Sequence, residues 1–336
     1  MILTKRKIPK ELLYFRALQK RRYLSTNNKR KLDAFEKGYA GELLYDSIYD
    51  EIVSHLYVFR DIYMNIDNNI LQCDALIVCD NGFIIHEIKN FKGIYKYENN
   101  KWYVRHNQIS DDPILQLNRT ANKLVKFKYI YNLNFSSEGK VIFPSPEFSL
   151  ETDHPSISDH TILRHQLRPY LYSLNELKST HQADILVEII KNHIVDNPYF
   201  NYTTDFEELN KGVYCRKCSS FNLKKSNIHF QCLDCGNKDT IHTIIVQALS
   251  DFDILFNNEF ITRKNLWEFL GKQISESTIN RYLRKYCNKI NKGPATKYKF
   301  KFYDFDDAMK NEMRLWRYKD MPKIDISEHN IIENMK

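Results

Sequence analysis

A long apolar segment with one turn signal in its middle constrains the fold of this chain more than any other feature. Residues 71–88 are rich in β-branched and other apolar side chains on both sides of Asn81-Gly82. Asn-Gly between two such runs is the strongest short-range signal for a β-hairpin. Strands that are apolar on both faces are usually central in a sheet and covered by helices. The segment therefore predicts two adjacent central strands of a covered sheet in an α/β (α+β) protein.

Three charged side chains fall on these two strands. A two-residue turn at Asn81-Gly82 pairs Asp74 with Lys89 and Leu76 with Glu87, and the alternation of side chains puts Asp74, Glu87 and Lys89 on one face. Such charges are costly on covered strands unless they bind something. We expect a hard divalent cation, with the lysine beside it to stabilise an anion. The alternative is a structural ion-pair network. The opposite face is predicted to consist of Cys73, Ala75, Ile77, Cys79, Ile84 and Ile88.

Helical periodicity precedes the hairpin, over residues 33–56. Glu42 lies at the edge of the apolar arc of this helix and faces inward. Gly38 and Gly41 would allow the helix to approach a sheet or a phosphate closely. The apolar arc itself consists of Tyr45, Ile48, Tyr49, Ile52 and Leu56.

A second helix is predicted after the hairpin, from Pro113 to about Tyr131, with Asp111 or Asp112 as its N-cap. Gln116 lies in its first turn. Residues 140–143 are expected to continue the sheet, and residues 158–200 are mostly helical in pattern. These elements predict a mixed central sheet flanked by helices.

The chain contains four blocks in this order: Gly38-Tyr39-Ala40-Gly41-Glu42; Gln72 with Asp74; Glu87 with Lys89, Asn90, Gly93 and Trp102; and Asp112-Pro113 with Gln116. Together these blocks resemble the nuclease-related domain (NERD) family of the PD-(D/E)XK nuclease superfamily, and the resemblance covers about residues 33–150. The chain departs from the family at two positions: Asp112-Pro113 replaces the usual Asn-Pro, and His86 stands where an apolar residue is usual.

The resemblance implies a restriction-endonuclease-like core and a metal-dependent nuclease. In such an enzyme Asp74 and Glu87, assisted by Glu42, would bind one or two Mg²⁺ or Mn²⁺ ions, and Lys89 would stabilise the charge that develops on the phosphate. Gln116 would donate a hydrogen bond to the scissile phosphate or position a water molecule. The alternatives are a surface glutamate at position 42 and an ordinary polar first-turn residue at position 116.

Basic residues are concentrated at the start of the chain. The net charge is +8, and residues 1–31, which include Arg21 and Arg22, hold eleven Lys or Arg against one acidic residue. Binding to nucleic-acid phosphates is the natural interpretation, because each contact releases counterions. The alternative is a solubilising tail.

Four of the seven cysteines form two Cys-x-x-Cys pairs, Cys215 with Cys218 and Cys232 with Cys235. Two such turns complete a tetrahedron around Zn²⁺, and four thiolates leave no open position, so the zinc is expected to be structural. A redox role is the alternative. Gly236 suits the tight turn after the second pair. Phe221, Ile228 and Phe230 are expected to supply short ribbon strands, and Cys73, Cys79 and Cys287 to be buried thiols.

Residues 252–303 predict a small winged helix-turn-helix. Thr262 and Ser275 cap two helices; the second carries Ile279, Leu283, Tyr286 and Ile290, and Gly293-Pro294 then turns into a basic strand. A protein-interaction module with a charged surface is the alternative. The side chains predicted to contact nucleic acid are Thr278, Asn280, Arg281, Arg284 and Lys285 on the second helix and Lys297, Lys299 and Lys301 on the wing.

The predicted organisation has five parts: a basic arm (residues 1–31), the nuclease-like domain (32–205), a zinc ribbon (206–248), the winged helix (249–305) and a tail (306–336) whose Leu315, Trp316 and Tyr318 dock on the winged helix. The sequence thus favours a metal-dependent nuclease that cleaves DNA rather than RNA. The alternatives are a non-catalytic DNA-binding regulator with a nuclease-like fold and an RNA-processing nuclease.

Cellular context is predicted from what the chain lacks. No apolar run is long enough to span a bilayer and no signal peptide is evident, so we expect a cytoplasmic protein without a membrane partner. The oligomeric state stays open, with a dimer as one alternative. Defence of a bacterial cell or plasmid against foreign DNA is a hypothesis that rests on the combination of nuclease and binding domains alone.

Overall fold

The computed structural model describes residues 1–257, 259–291 and 296–311. The chain divides into two compact units, the first made of residues 1–12 and 27–200 and the second of residues 13–26 and 201–336, as far as these are described. The finer boundaries after residues 31, 205, 248 and 305 stay predictions. The predicted turn at Gly293-Pro294 and the predicted docking of Leu315, Trp316 and Tyr318 lie outside the described residues.

The described chain contains α-helices and β-strands in mixed order. The helices are α1 (Lys10–Arg21), α2 (Thr26–Ile52), α3 (Pro113–Tyr131), α4 (Pro155–His160), α5 (Arg164–Ser173), α6 (His181–His193), α7 (Ile241–Leu255), α8 (Arg263–Phe269), α9 (Glu276–Tyr286) and α10 (Phe305–Lys310). The strands are β1 (Tyr57–Ile66), β2 (Asn69–Cys79), β3 (Gly82–Ile88), β4 (Gly93–Glu98), β5 (Lys101–Val104), β6 (Asn107–Gln108), β7 (Ser136–Phe143), β8 (Phe148–Glu151), β9 (Thr161–Leu163), β10 (Ile194–Val195), β11 (Leu223–Lys225), β12 (His229–Cys232), β13 (Lys238–Thr240), β14 (Cys287–Lys289) and β15 (Tyr298–Phe300).

A six-stranded mixed sheet forms the centre of the first unit, with the strand order β10-β1-β2-β3-β7-β9. The first four strands in this order pair antiparallel, whereas β3, β7 and β9 run parallel. Strands β2 and β3 therefore occupy the middle of the sheet, as their apolar composition predicts. A smaller sheet, of order β6-β5-β4-β8, extends the same unit.

Helices cover both faces of the central sheet, which confirms the predicted mixed α/β class. Helices α2 and α5 share one hydrophobic cluster with one face, and α3 and α6 share another cluster with the opposite face. The five residues of the apolar arc predicted over residues 33–56 are all buried, each at most 8% exposed, but α2 ends at Ile52, so Leu56 lies beyond the helix. The other four are Tyr45, Ile48, Tyr49 and Ile52. None of the described helices is both long and apolar enough to cross a membrane.

The hairpin between β2 and β3 has a different register from the predicted one. Its turn consists of Asp80 and Asn81, so Cys79 pairs with Gly82 and Val78 with Phe83. Gly82 instead begins β3 with a φ of 134°, and a Cβ there would lie 2.1 Å from the backbone oxygen of Ser136 at the start of β7. The glycine thus serves the close approach of a parallel neighbour, and the prediction of an Asn81-Gly82 turn is wrong.

Local sequence signals place α2 and α3. The Asp112 carboxylate accepts hydrogen bonds from two backbone amides of the first turn of α3, and α3 spans the predicted residues from Pro113 to Tyr131. Gly41 allows α2 to approach the segment after β3, because a Cβ at Gly41 would lie 2.3 Å from Cβ of Asn90. The corresponding space at Gly38 is open, so the close approach predicted for both glycines holds for Gly41 alone.

The second unit contains a three-stranded sheet, β11-β12-β13, and a helical part made of α7 to α10 with the hairpin β14–β15. Thr262 and Ser275 cap α8 and α9 with their hydroxyl groups, as predicted. In β15, Tyr298 and Phe300 are buried on either side of the half-buried Lys299, as alternation predicts.

Three residues of the second unit depart from their predicted elements. Ile290 lies beyond α9, which ends at Tyr286, and is 50% exposed. Phe221 and Ile228 lie outside the three short strands, and the side chain of Ile228 is 74% exposed. Of the predicted ribbon residues, Phe230 alone occupies a strand and is buried. Helical spacing and isolated apolar residues are weak signals at the ends of such short elements.

Candidate active site and four-cysteine cluster

Asp74 and Glu87 face each other across the two central strands. The pairing of Ala75 with His86 places them opposite each other at the next step of the register, rather than diagonally as predicted. One oxygen of the Asp74 carboxylate, Oδ2, accepts a hydrogen bond of 2.8 Å from the backbone N–H of Ile88. The side chain of Glu87 is buried, with 3% exposure. Directly opposed residues on neighbouring strands are closer than diagonal ones, so the corrected register places residue 87 nearer to residue 74 than the predicted register does.

Lys89 connects three parts of the site just after β3. Its Nζ lies 3.2 Å from Glu87 Oε1 and 3.2 Å from Asp111 Oδ2, and it donates a hydrogen bond of 2.9 Å to Gln116 Oε1. Its backbone N–H donates to the carbonyl of Ile142 in β7. The structure therefore brings Glu87, Lys89 and Gln116 together, although they are up to 29 residues apart in sequence.

Burial disfavours the ionised forms of the Asp74 and Glu87 carboxylates. Desolvation raises the pKa of Glu87 well above its ordinary value, Asp74 raises it further, and Lys89 opposes the rise. The pKa of Asp74 is also raised by burial, while the amide of Ile88 and the cations Arg6 and Lys89 lower it. A cation bound between two neighbouring buried acids favours the ionised form of both carboxylates.

Glu42 is engaged by a basic residue rather than directed at the other two acids. Its Oε2 lies 2.9 Å from Nη1 of Arg6, whose Nε and Nη2 bind Asp46 on the next turn of α2. Arg6 Nη2 also donates a hydrogen bond of 2.9 Å to the backbone carbonyl of Asp74. Burial raises the pKa of Glu42 and the Arg6 guanidinium counteracts this rise.

The acidic side chains do not form a ready three-ligand site. Within residues 1–257, 259–291 and 296–311, the four cysteines are the one group of three or more ligating side chains whose ligand atoms all lie within 4.8 Å of one another. Among the described residues, the ligand atoms of Glu42, Asp74 and Glu87 thus do not all lie within 4.8 Å of one another, and Glu42 is paired with Arg6.

Asp61 is an acidic residue of this region that the sequence patterns missed. The register of β1 and β2 places it opposite Asp74, at the one step where the pairing of these strands is interrupted. Its φ of 46° is left-handed, its Oδ1 accepts from Gln72 Nε2 at 3.2 Å, and burial raises its pKa. The available signal was an acidic residue next to Arg60 in a strand that is otherwise mostly apolar.

The interruption at Asp61 and Asp74 also corrects the predicted face of Cys73. Cys73 packs with Leu76 in the hydrophobic cluster under α3 and α6, whereas Ala75 packs in the cluster under α2 and α5. The simple alternation used for the prediction fails here because the pairing of β1 with β2 is interrupted at this step and Asp61 has a left-handed φ.

His86 fills a buried position between two tyrosines. Its ring is 0% exposed; Nδ1 lies 2.5 Å from the Tyr45 hydroxyl of α2, and Nε2 lies 2.8 Å from the Tyr170 hydroxyl of α5. Burial lowers the pKa of His86 to about 3, so the ring is neutral at neutral pH. The polar residue where an apolar one is usual is therefore satisfied by hydrogen bonds that tie both helices to β3.

The four cysteines of the second unit converge on one point. Sγ of Cys215 lies 3.6 Å from Sγ of Cys235, and Sγ of Cys218 lies 3.5 Å from Sγ of Cys232. Each pair sits on a tight turn closed by a backbone hydrogen bond, and Gly236 has the positive φ of 73° that the second turn requires. The cluster could hold a metal ion with four sulfur ligands.

The residues predicted to bind nucleic acid differ in accessibility. On α9, Arg281 and Arg284 are exposed, whereas Thr278, Asn280 and Lys285 are partly exposed. Of the lysines after α9, Lys297 and Lys301 are exposed. The Nζ atom of Lys299 lies 3.0 Å from Oδ1 of Asp253. Arg22 is half-buried and paired with Glu208. Arg21 is 1% exposed and donates to the carbonyls of Asn210 and Gly212, so it presents no surface to a phosphate.

Comparison with known proteins identifies one part of the chain. The family model of the nuclease-related domain, NERD, matches residues 37–144, which include Glu42, Asp74, Glu87, Lys89 and Gln116. The predicted resemblance is thereby confirmed for this segment. Searches among curated proteins and among solved structures found no match to the chain.

Proposed function

We propose that the protein is a metal-dependent nuclease that hydrolyses phosphodiester bonds of DNA. The observation that supports this most strongly is the pair of opposed, partly desolvated carboxylates, Asp74 and Glu87, with Lys89 bound to Glu87 and Gln116. This arrangement lies inside the segment that matches a nuclease-related family. Buried acids of this kind, in a chain with a net charge of +8, fit a polyanionic substrate whose metal ion completes the site.

Asp74 and Glu87 fit a Mg²⁺ or Mn²⁺ ion. Mg²⁺ usually keeps several water ligands and takes only one or two protein carboxylates. Oδ2 of Asp74 already accepts the Ile88 amide N–H, and Oδ1 would be the oxygen that binds the cation. A bound divalent ion would polarise the phosphodiester and lower the pKa of an attacking water molecule.

Lys89 and Gln116 would contact the phosphate group of the substrate. Lys89 Nζ would stabilise the negative charge that grows on the phosphate, and Glu87 and Asp111 keep it charged and directed. Gln116 accepts from Lys89 through Oε1, so its amide NH₂ group is left to donate to a phosphate oxygen or to position water.

The second unit would bind the substrate. We interpret the four-cysteine cluster with its three short strands as a zinc ribbon, and α7 to α9 with β14–β15 as a winged helix. Arg281 and Arg284 lie on the exposed face of α9, where a recognition helix meets phosphates and base edges. DNA is favoured over RNA on this ground.

Cleavage of supercoiled plasmid DNA by the full chain with Mg²⁺ or Mn²⁺ tests the proposal. Glu87→Gln and Lys89→Gln should each lower the rate by about 100-fold or more. The matched controls are Lys92→Gln and Glu147→Gln, because these residues form an exposed ion pair 2.8 Å apart in the same unit. Loss of activity in the first pair alone supports the site. Equal rates in all four variants would reject it.

A non-catalytic DNA-binding regulator is the second candidate. The observation in its favour is that Glu42 is held by Arg6 and the acids do not converge on one point. Binding of DNA without cleavage under either metal would favour this reading. Competition among duplex DNA, single-stranded DNA and RNA in the same assay would separate a DNA nuclease from an RNA-processing one.

A further inference from the structure

Arg6 lies inside the first unit, although the sequence places it in a basic arm. Its side chain is 2% exposed, and its guanidinium contacts three groups: the Glu42 carboxylate, the Asp46 carboxylate and the backbone carbonyl of Asp74. A parallel bridge between Ile2 and Val58, with hydrogen bonds to Val58 on both sides, holds the chain before it against β1. Arg6 is therefore a fixed component of the region around Asp74.

The two carboxylates that bind Arg6, Glu42 and Asp46, differ in the number of cationic side chains that contact them. Asp46 is shared, because Arg60 Nε lies 3.2 Å from Asp46 Oδ1 while Arg6 donates to both oxygens of the Asp46 carboxylate. Glu42 has Arg6 as its cationic partner among the described residues. Removal of Arg6 thus leaves Asp46 paired with Arg60 but frees Glu42.

Arg6 also bridges two elements of the candidate site. Glu42 and Asp46 belong to α2, and Asp74 belongs to β2, at the step where β1 and β2 are not paired. The hydrogen bond from Arg6 to the Asp74 carbonyl takes the place of a strand partner there. The guanidinium is consequently fixed both to the strand that carries one proposed metal ligand and to a carboxylate that could act as another.

We propose that Arg6 is a positioning residue that holds Glu42 away from the metal ion bound by Asp74 and Glu87 and weakens the binding of that ion. This inference rests on the proposed function and specifies how its site is regulated. A guanidinium and a divalent cation repel each other over short distances in a partly buried site. With Arg6 in place Asp74 and Glu87 are the proposed ligands, and without Arg6 the Glu42 carboxylate would join them.

Calorimetric titration of the full, zinc-loaded chain with Mn²⁺ tests this, with circular dichroism to check folding. Arg6→Gln should lower the Kd for Mn²⁺ by about tenfold or more. Glu42→Gln in the natural background should change the Kd by less than about twofold. In the Arg6→Gln background, Glu42→Gln should remove most of the gain. Asp74→Asn should abolish binding in every background.

Two results would overturn the inference. One is an Arg6→Gln protein that folds and binds Mn²⁺ no better than the natural chain, including the case in which neither binds. The other is a loss of about tenfold or more on Glu42→Gln alone, which would make Glu42 a ligand despite Arg6. This second measurement does not require Arg6→Gln to fold. Tight Mn²⁺ binding without DNA cleavage would reject the nuclease proposal and leave the role of Arg6 intact.

Discussion

Replacing Gly41 by alanine tests how closely α2 approaches the candidate site, and Gly38→Ala is its matched control. Both glycines lie inside α2, so each substitution gains about 1 kcal/mol of intrinsic helix preference. A methyl group at Gly38 would meet no atom within 4 Å. A methyl group at Gly41 would lie 2.3 Å from Cβ and 2.7 Å from Cγ of Asn90.

The two substitutions should therefore change stability in opposite directions. Carbon atoms in contact need about 3.5–4.0 Å, so α2 or Asn90 must move, and overpacking of this kind costs about 1–3 kcal/mol. The movement also breaks the 2.7 Å hydrogen bond from Asn90 Nδ2 to the carbonyl of Lys37, which contributes about 1 kcal/mol. Gly41→Ala should lower the free energy of unfolding by about 1–3 kcal/mol, and Gly38→Ala should raise it by about 1 kcal/mol.

Urea denaturation followed by circular dichroism measures both variants against the natural chain. The difference between the two midpoints carries the test, since the gain in helix preference is common to both. Equal midpoints for Gly38→Ala and Gly41→Ala would refute the close approach of α2 to Asn90. In the plasmid assay Gly41→Ala should also slow cleavage, because Asn90 follows Lys89 directly.

Three further predictions concern other parts of the chain. Native mass spectrometry should find one zinc ion per chain, lost in Cys235→Ser and kept in Cys287→Ser, which replaces a buried thiol outside the cluster; a metal-free natural chain would contradict the zinc ribbon. Asp112→Ala should lower the free energy of unfolding by about 1–2 kcal/mol by removing the cap of α3, and an effect no larger than that of the adjacent Asp111→Ala would argue against the cap. Arg284→Glu should weaken binding of duplex DNA in fluorescence anisotropy, more strongly at low salt, and an unchanged affinity would exclude α9 as a contact surface.

Features that depend on local sequence were predictable. The start of α3 follows from Pro113 and its capping aspartate, and the buried arc of α2 follows from helical periodicity. The four cysteines converge because each Cys-x-x-Cys turn fixes two thiols by local geometry. The placement of β2 and β3 in the middle of the sheet follows from strands that are apolar on both faces.

Features that depend on distant partners were not predictable in the same way. The turn signal at Gly82 was misread because the glycine is required by Ser136, a residue more than 50 positions later in the chain. Arg6 looks like one of eleven basic residues in an arm, and its burial depends on carboxylates of α2. The position of Asp61 opposite Asp74 becomes evident once the pairing of β1 with β2 is known.

The hydrogen bond between Asp74 and the Ile88 amide has a practical consequence for work with this protein. An asparagine at position 74 can offer its amide oxygen to the same N–H, so the sheet would lose no hydrogen bond while the side chain loses its negative charge. Asp74→Asn is therefore expected to give a folded protein that does not cleave nucleic acid but still binds it. Such a variant can be used to isolate bound, uncut nucleic acid from cells and to sequence it.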